Sequence, residues 1–188
     1  MTAEPDIPRR DRRVELRQLP AAAIDALAAG DLSAASTAAG IVLPPYFVSP
    51  QDRRTWQRRS LQLADDPACA GWITRIIVDT DRDLVVGRAG YHGRPDDRGM
   101  VEVGYAIDPP HRRQGYARAA LVDLLDRAAR EPSVSTVRAT ISPTNQASRR
   151  LVLQYGFTEV GEQWDDEDGI ETIFEVPAGS GDRSGARP

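Results

Sequence analysis

The sequence predicts a single α/β domain with a mixed, mostly antiparallel sheet of about seven strands and flanking helices. Two observations lead to this prediction. Segments with alternating apolar residues come in pairs joined by short polar turns, which is typical of antiparallel hairpins. One strand is instead followed by a long amphipathic helix and another strand, and this order indicates a right-handed crossover between two parallel strands.

The composition suits an ordinary globular domain. The chain has 188 residues, of which 40% are hydrophobic and 28% charged. A net charge of −4 argues against a general nucleic-acid binder. The sequence has no signal-peptide pattern, no apolar run of ~20 residues and no metal-ligand spacing, and Cys69 has no disulfide partner. We therefore expect a cytoplasmic protein with no membrane partner and no metal.

We expect the domain to cover residues 13–176, between two disordered ends. Residues 1–12 are charged, contain proline and show no periodicity, whereas residues 177–188 are small, polar and rich in glycine. Both compositions are typical of disorder. The intervening segment contains neither an internal repeat nor a linker, so we assign it to one domain.

The first half of the domain combines one strand with helices. Residues 13–19 alternate as a strand does, and residues 20–31 begin with proline and end near glycine, as a helix does. Residues 32–49 are ambiguous apart from a loop at their Pro-Pro pair. Helix-start chemistry and the spacing of apolar residues predict a further helix over residues 50–66.

Three strands are predicted next. Residues 71–80 and 84–93 form a hairpin around an aspartate-rich turn. Residues 100–108 alternate between apolar side chains and small or charged ones. The apolar side carries Val101, Val103, Tyr105 and Ile107, and the other side carries Glu102, Gly104, Ala106 and Asp108.

The last third of the domain contains the strongest helix signal. Residues 117–130 carry an apolar stripe at helical spacing, and residues 136–141 alternate as a strand. A short helix follows, which Asn145 can cap and Gly156 can end. The segments FTEVGEQW and IETIFEV are the two final strands, with the acidic DDEDG turn between them.

The loop before helix 117–130 has the properties of a phosphate-binding site. A helix start offers unpaired N–H groups and a positive dipole end, which stabilise an anion. Gly115 and Ala117 keep side chains away from these groups, and Arg112 and Arg113 can add charge-assisted contacts. The two common glycine-rich nucleotide motifs are absent from this loop, so its residues alone do not identify the diphosphate.

Three sequence features together resemble the GNAT superfamily of N-acetyltransferases. RRQGYA at 112–117 matches the signature Gln/Arg-x-x-Gly-x-Gly/Ala, and NQASRRLVLQYGF is similar to the second motif of the family. The segment VEVGYAIDPPHRRQGYARAAL resembles the branch that acetylates the N-termini of ribosomal proteins. The resemblance is sharp over residues 100–161 and extends by element order over residues 13–176.

The resemblance implies that acetyl-CoA binds where the two parallel strands splay apart. The pantetheine arm would pair with the main chain of Tyr105, Ala106 and Ile107, and Asn145 and Ser148 would lie near the thioester. Family members are often dimers, so a homodimer is an expectation, although no interface stands out in the sequence. The pyrophosphate would be held by the loop residues Arg112, Arg113, Gln114, Gly115, Tyr116 and Ala117.

Acetyl transfer from a thioester to an amine requires a proton acceptor for the amine and benefits from a proton donor for the thiolate. Glu102 is the leading base, because it is a charge in an apolar strand beside the expected cleft; the alternative is a solvent-facing glutamate. Ser148 matches a serine of the N-terminal-acetylating branch and is the candidate acid; the alternative is helix packing or cofactor binding. Val152 stands where many relatives have tyrosine. His92 can also face the substrate, although a loop histidine is the more ordinary interpretation.

We therefore predict an acetyl-CoA-dependent N-acetyltransferase in which a primary amine attacks the thioester directly. The acceptor can be a protein N-terminus, a polyamine, an antibiotic or a metabolite, and the sequence does not separate these. The missing tyrosine keeps one alternative open, a non-catalytic acyl-CoA-binding sensor or regulatory module.

Overall fold

A computed structural model of the chain describes residues 12–165 and 169–179. Short 3₁₀ helices cover Pro45–Val48, Pro67–Trp72 and Pro109–His111. The longer elements are β1 Val14–Arg17, α1 Ala21–Ala29, α2 Leu32–Ala39, α3 Pro50–Asp65, β2 Arg75–Asp79, β3 Leu84–Tyr91, β4 Met100–Ile107, α4 Tyr116–Arg130, β5 Thr136–Ile141, α5 Gln146–Leu153, β6 Thr158–Asp165 and β7 Gly169–Pro177.

The strands form one sheet in the order β1-β2-β3-β4-β5-β7-β6. Every neighbouring pair is antiparallel except β4 and β5, which are parallel and joined through α4. The predicted mixed, mostly antiparallel sheet is therefore confirmed. The parallel pairing is short, because residues 100–102 pair with residues 136–138 and no further pairs form. The two strands then separate, and we call the space between residues 103–107 and 139–141 the cleft.

Helices cover both faces of the sheet, and each face has its own core. α4 and α5 pack on one face, where the predicted apolar stripe of α4 is buried. The stripe consists of Tyr116, Ala120, Leu121, Leu124, Leu125 and Ala128. The helices α1, α2 and α3 bury a second core on the other face, centred on Trp56 and Phe47 with ring centroids 5.3 Å apart.

Two parts of the first half differ from the sequence-based prediction. The ambiguous segment contains α2, which begins where the Asp31 side chain accepts a hydrogen bond from the N–H of Ala34, so three helices separate β1 from β2. Gly71 and Trp72 end a 3₁₀ helix and do not start a strand. This helical turn forms because Pro67 is at its first position and Asp66 caps it.

The predicted disordered ends lie mostly outside the described residues, namely residues 1–11 and 180–188. Their inner residues contact the domain: Arg12 bonds to Gln114, and Pro177 ends β7 opposite Thr136. Within residues 12–165 and 169–179, we find no helix with the length and apolarity to cross a bilayer.

A buried polar cluster attaches the start of α4 to the end of β2. The hydroxyl of Tyr116 donates to Oδ2 of Asp79 at 2.5 Å, and Arg82 donates to the Tyr116 oxygen at 3.0 Å. The main-chain N–H groups of Asp81 and Arg82 also donate to Asp79. Burial by itself raises the pKa of Asp79, but these hydrogen bonds outweigh it and lower the pKa below its ordinary value of 3.8.

This cluster predicts a specific dependence of stability on pH. Because the pKa of Asp79 is lowered in the folded state, its contribution is fully present above 3.8 and is lost as pH falls through the folded value. We expect Asp79→Asn to lower the free energy of unfolding at pH 7, and the difference from wild type to shrink in acid. Urea denaturation at pH 7 and about pH 3 measures this; a difference that is constant with pH would contradict it.

Candidate active site

The cleft exposes main-chain groups of β4. Two hydrogen bonds at the ends of the β3–β4 pair show which groups of β4 are already bonded to β3. His92 N–H donates to the Glu102 carbonyl at 2.8 Å, and Asp108 N–H donates to the Val86 carbonyl at 3.0 Å. Along an antiparallel pair, residues that bond the neighbouring strand alternate with residues that face away. Even-numbered residues of β4 therefore bond β3. The groups directed into the cleft belong to Val103, Tyr105 and Ile107.

The main chains of the three residues predicted to contact pantetheine, Tyr105, Ala106 and Ile107, do not all face the cleft, and the contact itself stays a prediction. The main chain of Tyr105 faces the cleft, as does that of Ile107, whose carbonyl accepts a hydrogen bond from Arg112 Nε at 3.0 Å. Ala106 pairs with Arg88 of β3, so its main chain is directed away from the cleft. A ligand in the cleft would therefore find main-chain partners at alternate residues of β4.

The loop before α4 presents main-chain N–H groups without protein partners. Gly115 occupies the N-cap position of α4 with φ +91° and provides no side-chain cap. Arg113 also has a left-handed φ of +60°. In the described part of the chain, the N–H groups of residues 113–118 donate to no protein acceptor. Such a set of N–H groups at a helix start is suited to an anion.

Several side chains of this loop hold its shape. Gln114 Nε2 donates to the Pro110 carbonyl at 3.0 Å. The side chain of Tyr116 is buried in the Asp79 cluster, and Ala117 packs on the core under α4. The predicted role of the loop as a phosphate site therefore rests on its main chain.

Arg12 brings another guanidinium to the same loop. Its Nε donates to the Gln114 carbonyl at 3.1 Å, and its guanidinium lies 5.0 Å from the ring centroid of Tyr116. A Cβ atom on Gly115 would lie 3.7 Å from Arg12 Cγ, which places this side chain beside the N-cap. No local sequence signal identifies Arg12, because it is far from the loop along the chain and belongs to a segment with no periodic pattern.

Glu102 lies where the parallel pairing of β4 and β5 ends, on the face opposite α4. Its carboxylate accepts a hydrogen bond from the Thr140 hydroxyl, and its Oε1 is 3.3 Å from His92 Nδ1. The side chain is 21% exposed, so it is sheltered yet reachable. Burial by itself raises the pKa of Glu102, but His92, Thr140 and Arg138 outweigh burial and lower it. Glu102 is therefore an ionised carboxylate in a fixed position.

His92 is the neighbour of Glu102, although its sequence context is that of an ordinary loop histidine. It follows β3 directly, opposite Glu102, and its imidazole lies across Gly104. A Cβ on Gly104 would lie 2.6 Å from Nε2, so any larger residue there would displace the imidazole. The imidazole is 43% exposed, so water can reach it. The register of the β3–β4 hairpin brings His92 opposite Glu102, and a single sequence does not fix that register.

Buried charges on α3 complete this side of the site. Asp52, Trp56 and Arg59 are its buried residues. Asp52 pairs with Arg88 at 2.5 Å, and Arg59 donates to the His92 carbonyl at 3.2 Å. Burial lowers the pKa of Arg59 to about 10. The sequence predicted α3 but gave no indication that it buries charges.

The start of α5 lies on the other side of the cleft. The Asn145 side chain accepts the N–H of Ser148 at 3.1 Å, which confirms the predicted cap. The side chain of Ser148 lies near the phenol of Tyr105 and opposes the rise in the pKa of that phenol caused by burial. Val152 is fully buried in the core. The candidate base Glu102 and the candidate acid Ser148 therefore flank the cleft from opposite faces of the sheet.

A separate cavity of about 310 Å³ lies between α1 and the 3₁₀ helix Pro67–Trp72. It is lined mainly by apolar side chains such as Leu19 and Ile24, and none of its lining residues is charged. The cavity offers no group for proton transfer, so the chemistry is assigned to the cleft.

Residues 13–158 match the family model described as "Acetyltransferase (GNAT) domain". The chain is also similar to the uncharacterized N-acetyltransferase YjdG of Bacillus subtilis (strain 168). The two are 36% identical over 87 residues, which is 46% of this chain and 52% of the relative. The chain spans about half the length of the curated relatives it matches.

Solved structures share the fold. A spermidine N-acetyltransferase SpeG chimera from Vibrio cholerae and hSSAT superposes with a TM-score of 0.63 at 14% identity, covering 88% of this chain and 95% of that one. RimJ of Mycobacterium smegmatis, in complex with CoA-disulfide, has a TM-score of 0.61 at 18% identity, with 88% and 82% coverage. At these identities the likeness establishes the architecture alone.

Proposed function

The chain belongs to the GNAT family of acetyltransferases, and from this we propose that it transfers an acetyl group from acetyl-CoA to a primary amine. One observation supports the proposal: among the described residues, the N–H groups of residues 113–118 have no protein acceptor, and the ionised Glu102 lies on β4, the strand that leads to this loop. The first feature is suited to a diphosphate, and the second is suited to proton transfer from an amine.

The binding part of the proposal assigns coenzyme A to the cleft. Its pyrophosphate would contact the N–H groups of residues 113–118, with Arg12 and Arg113 adding positive charge. Its pantetheine arm would take hydrogen bonds from the main chain of Tyr105 and Ile107, which β5 leaves unpaired. The residues present therefore fit this ligand by charge and by hydrogen-bonding capacity.

The chemical part assigns the amine proton to the Glu102–His92 pair. The amine nitrogen attacks the thioester carbon, and the proton that it loses passes to this pair. A carboxylate with a lowered pKa holds a proton weakly, so the neighbouring imidazole is the group that carries it on to water. Glu102 orients His92 through the 3.3 Å contact, and the exposed part of His92 provides the exit.

The acceptor is proposed at the level of chemical class, a primary amine on a protein N-terminus or on a small molecule. The segment 101–121 supports the branch that acetylates ribosomal-protein N-termini, and that assignment belongs to the same proposal. A cytoplasmic location and a homodimer are also proposed, as in many relatives. The direct test is release of free thiol from acetyl-CoA with a panel of amines. Tight binding without turnover on any amine would instead support an acyl-CoA-binding module.

Gly115→Ala is expected to weaken coenzyme A binding about tenfold, or ~1.4 kcal/mol. The φ of +91° is strained for any residue with a Cβ, so alanine would shift the loop and misdirect its N–H groups. Gly40→Ala is the matched control, because Gly40 also has a left-handed φ of +65° but lies away from the cleft, with open space around it. Calorimetry with coenzyme A measures both variants; equal affinities would contradict the loop assignment.

A further inference from the structure

Two side-chain contacts of the Glu102 carboxylate fall on the same oxygen. In the described part of the chain, the Thr140 hydroxyl donates to Oε1, and His92 Nδ1 lies 3.3 Å from that atom. An ionised carboxylate accepts through both of its oxygens. Neighbours on two sides that hold Oε1 restrict rotation of the group, so Oε2 is the atom left for the acceptor amine.

Thr140 reaches Glu102 from the strand across the cleft. The parallel ladder ends where Glu102 pairs with Arg138, and Thr140 is two residues further along β5. Side chains two residues apart on a strand lie on the same face, so Thr140 shares the face of Arg138 and Glu102. Thr140 also pairs with Ile173 of β7. Its position is therefore set by the ladder between β5 and β7, independently of Glu102.

The charged groups around Glu102 come from three parts of the fold. His92 follows β3, Arg138 lies on β5, and Arg59 on α3 interacts electrostatically with Glu102. Arg138 is engaged by Glu175, to which its Nε and Nη2 both donate. The direct contact from β5 to the carboxylate is a hydrogen bond from an uncharged hydroxyl. Replacing that hydroxyl changes no charge in the site, so the effect of the hydrogen bond can be measured alone.

We propose that Thr140 is a positioning residue that holds Glu102 Oε1 and thereby leaves Oε2 to take the proton of the acceptor amine. The inference rests on the proposed acetyl transfer. As the nitrogen bonds to the thioester carbon, one N–H bond breaks, its electron pair stays on nitrogen, and the proton goes to Oε2. The carbon–sulfur bond breaks with its electron pair going to sulfur. The proton on Glu102 then passes through His92 to water.

Replacement by valine tests the positioning role. Thr140→Val removes the hydroxyl but retains the branched shape, so we expect kcat to fall about tenfold while the Kd for coenzyme A stays near wild type. Thr140→Ser retains the hydroxyl and should restore most of the lost kcat. Normal kcat in Thr140→Val, or a loss that serine does not restore, would overturn the proposal. Weaker coenzyme A binding would also overturn it, because the hydroxyl would then be shaping the cleft.

Thr136→Val is the matched control. Thr136 lies on the same strand and the same face as Thr140, and it pairs with Met100 at the end of the ladder away from the cleft. The same loss of a hydroxyl should therefore leave kcat near wild type. An equal loss of kcat in both valine variants would overturn the proposal, since it would reflect the stability of β5.

The pH dependence separates positioning from packing. Burial raises the pKa of Glu102, and the hydrogen bond from Thr140 is one of the contacts that lower it. The loss of this bond should raise the pKa, so the acidic limb of kcat/KM should move to higher pH in Thr140→Val but not in Thr140→Ser. His92, Arg138 and Arg59 are unchanged in both variants. A limb that stays in place would overturn the proposal.

A titration that is independent of turnover separates this inference from the proposed function. Carbon NMR of the unliganded protein with labelled glutamate follows the carboxyl group of Glu102, and Glu102→Gln identifies its resonance. We expect a higher midpoint in Thr140→Val than in wild type and Thr140→Ser, and equal midpoints would overturn the proposal. If the wild type acetylated no amine, the proposed function would fail, and this titration would still decide whether Thr140 controls Glu102.

Discussion

Glu102→Gln should lower kcat about 10³-fold, because it removes the carboxylate from the pair that accepts the amine proton. Glutamine retains the shape of the side chain and can still accept a hydrogen bond from Thr140 through its amide oxygen. We therefore expect unchanged coenzyme A affinity and a thermal midpoint close to wild type. Steady-state kinetics and calorimetry on the same preparation measure both quantities. Normal turnover would remove Glu102 from the mechanism.

His92→Gln provides the companion measurement. If Glu102 and His92 act as one unit, each single replacement lowers kcat and the double replacement adds little, since groups that act together are not additive. Effects that multiply would show that the two residues act independently, despite their 3.3 Å contact. This double-mutant cycle distinguishes proton transfer from Glu102 through His92 from a Glu102 carboxylate that acts alone.

Asp52→Ala is expected to destabilise the fold by about 3–5 kcal/mol. Asp52 is fully buried and lies 2.5 Å from Arg88, whose side chain is 16% exposed. Without Asp52 the guanidinium remains desolvated and unpaired, and that cost dominates the effect. Burial and the negative charge of Asp52 raise the pKa of Tyr46 to about 12. Urea denaturation at pH 7 measures the loss.

The double replacement Asp52→Leu with Arg88→Met is the control for this prediction. Replacing a whole buried ion pair by apolar side chains of similar volume is often neutral or stabilising. We expect this variant to regain most of the stability that Asp52→Ala loses. If it were as unstable as the single variant, packing around α3 and not the unpaired charge would explain the effect.

The sequence predicted those parts of the molecule that depend on local patterns. Each of these patterns is visible within a short stretch of sequence. They are the apolar stripe of α4, the alternation of β4 and the glycine of the loop. Glu102 was recognisable for the same reason, since a lone charge stands out in an apolar strand. These local signals were enough to predict the sheet, whereas the position of its opening was implied by the family resemblance.

The contacts that the sequence did not reveal join residues far apart along the chain. Arg12 and Gln114 are separated by 102 positions, and Asp52 and Arg88 by 36. Neither pair has a local signature, because a solvated arginine and a buried one look the same in a single sequence. His92 and Glu102 come together through the register of two strands, and that register depends on loops whose geometry a pattern does not specify.

The central ladder of the sheet has consequences for rigidity. The strand ladder between the four-stranded part, β1 to β4, and the three-stranded part, β5, β7 and β6, covers residues 100–102 and 136–138. Cross-strand hydrogen bonds resist shear, and the ladder at this joint is short. A ligand bound along Tyr105 would form hydrogen bonds in place of the missing cross-strand bonds. Ligand binding would therefore make the joint between the two parts of the sheet more rigid. Hydrogen exchange at the β4 amides should therefore slow on binding, before any reaction takes place.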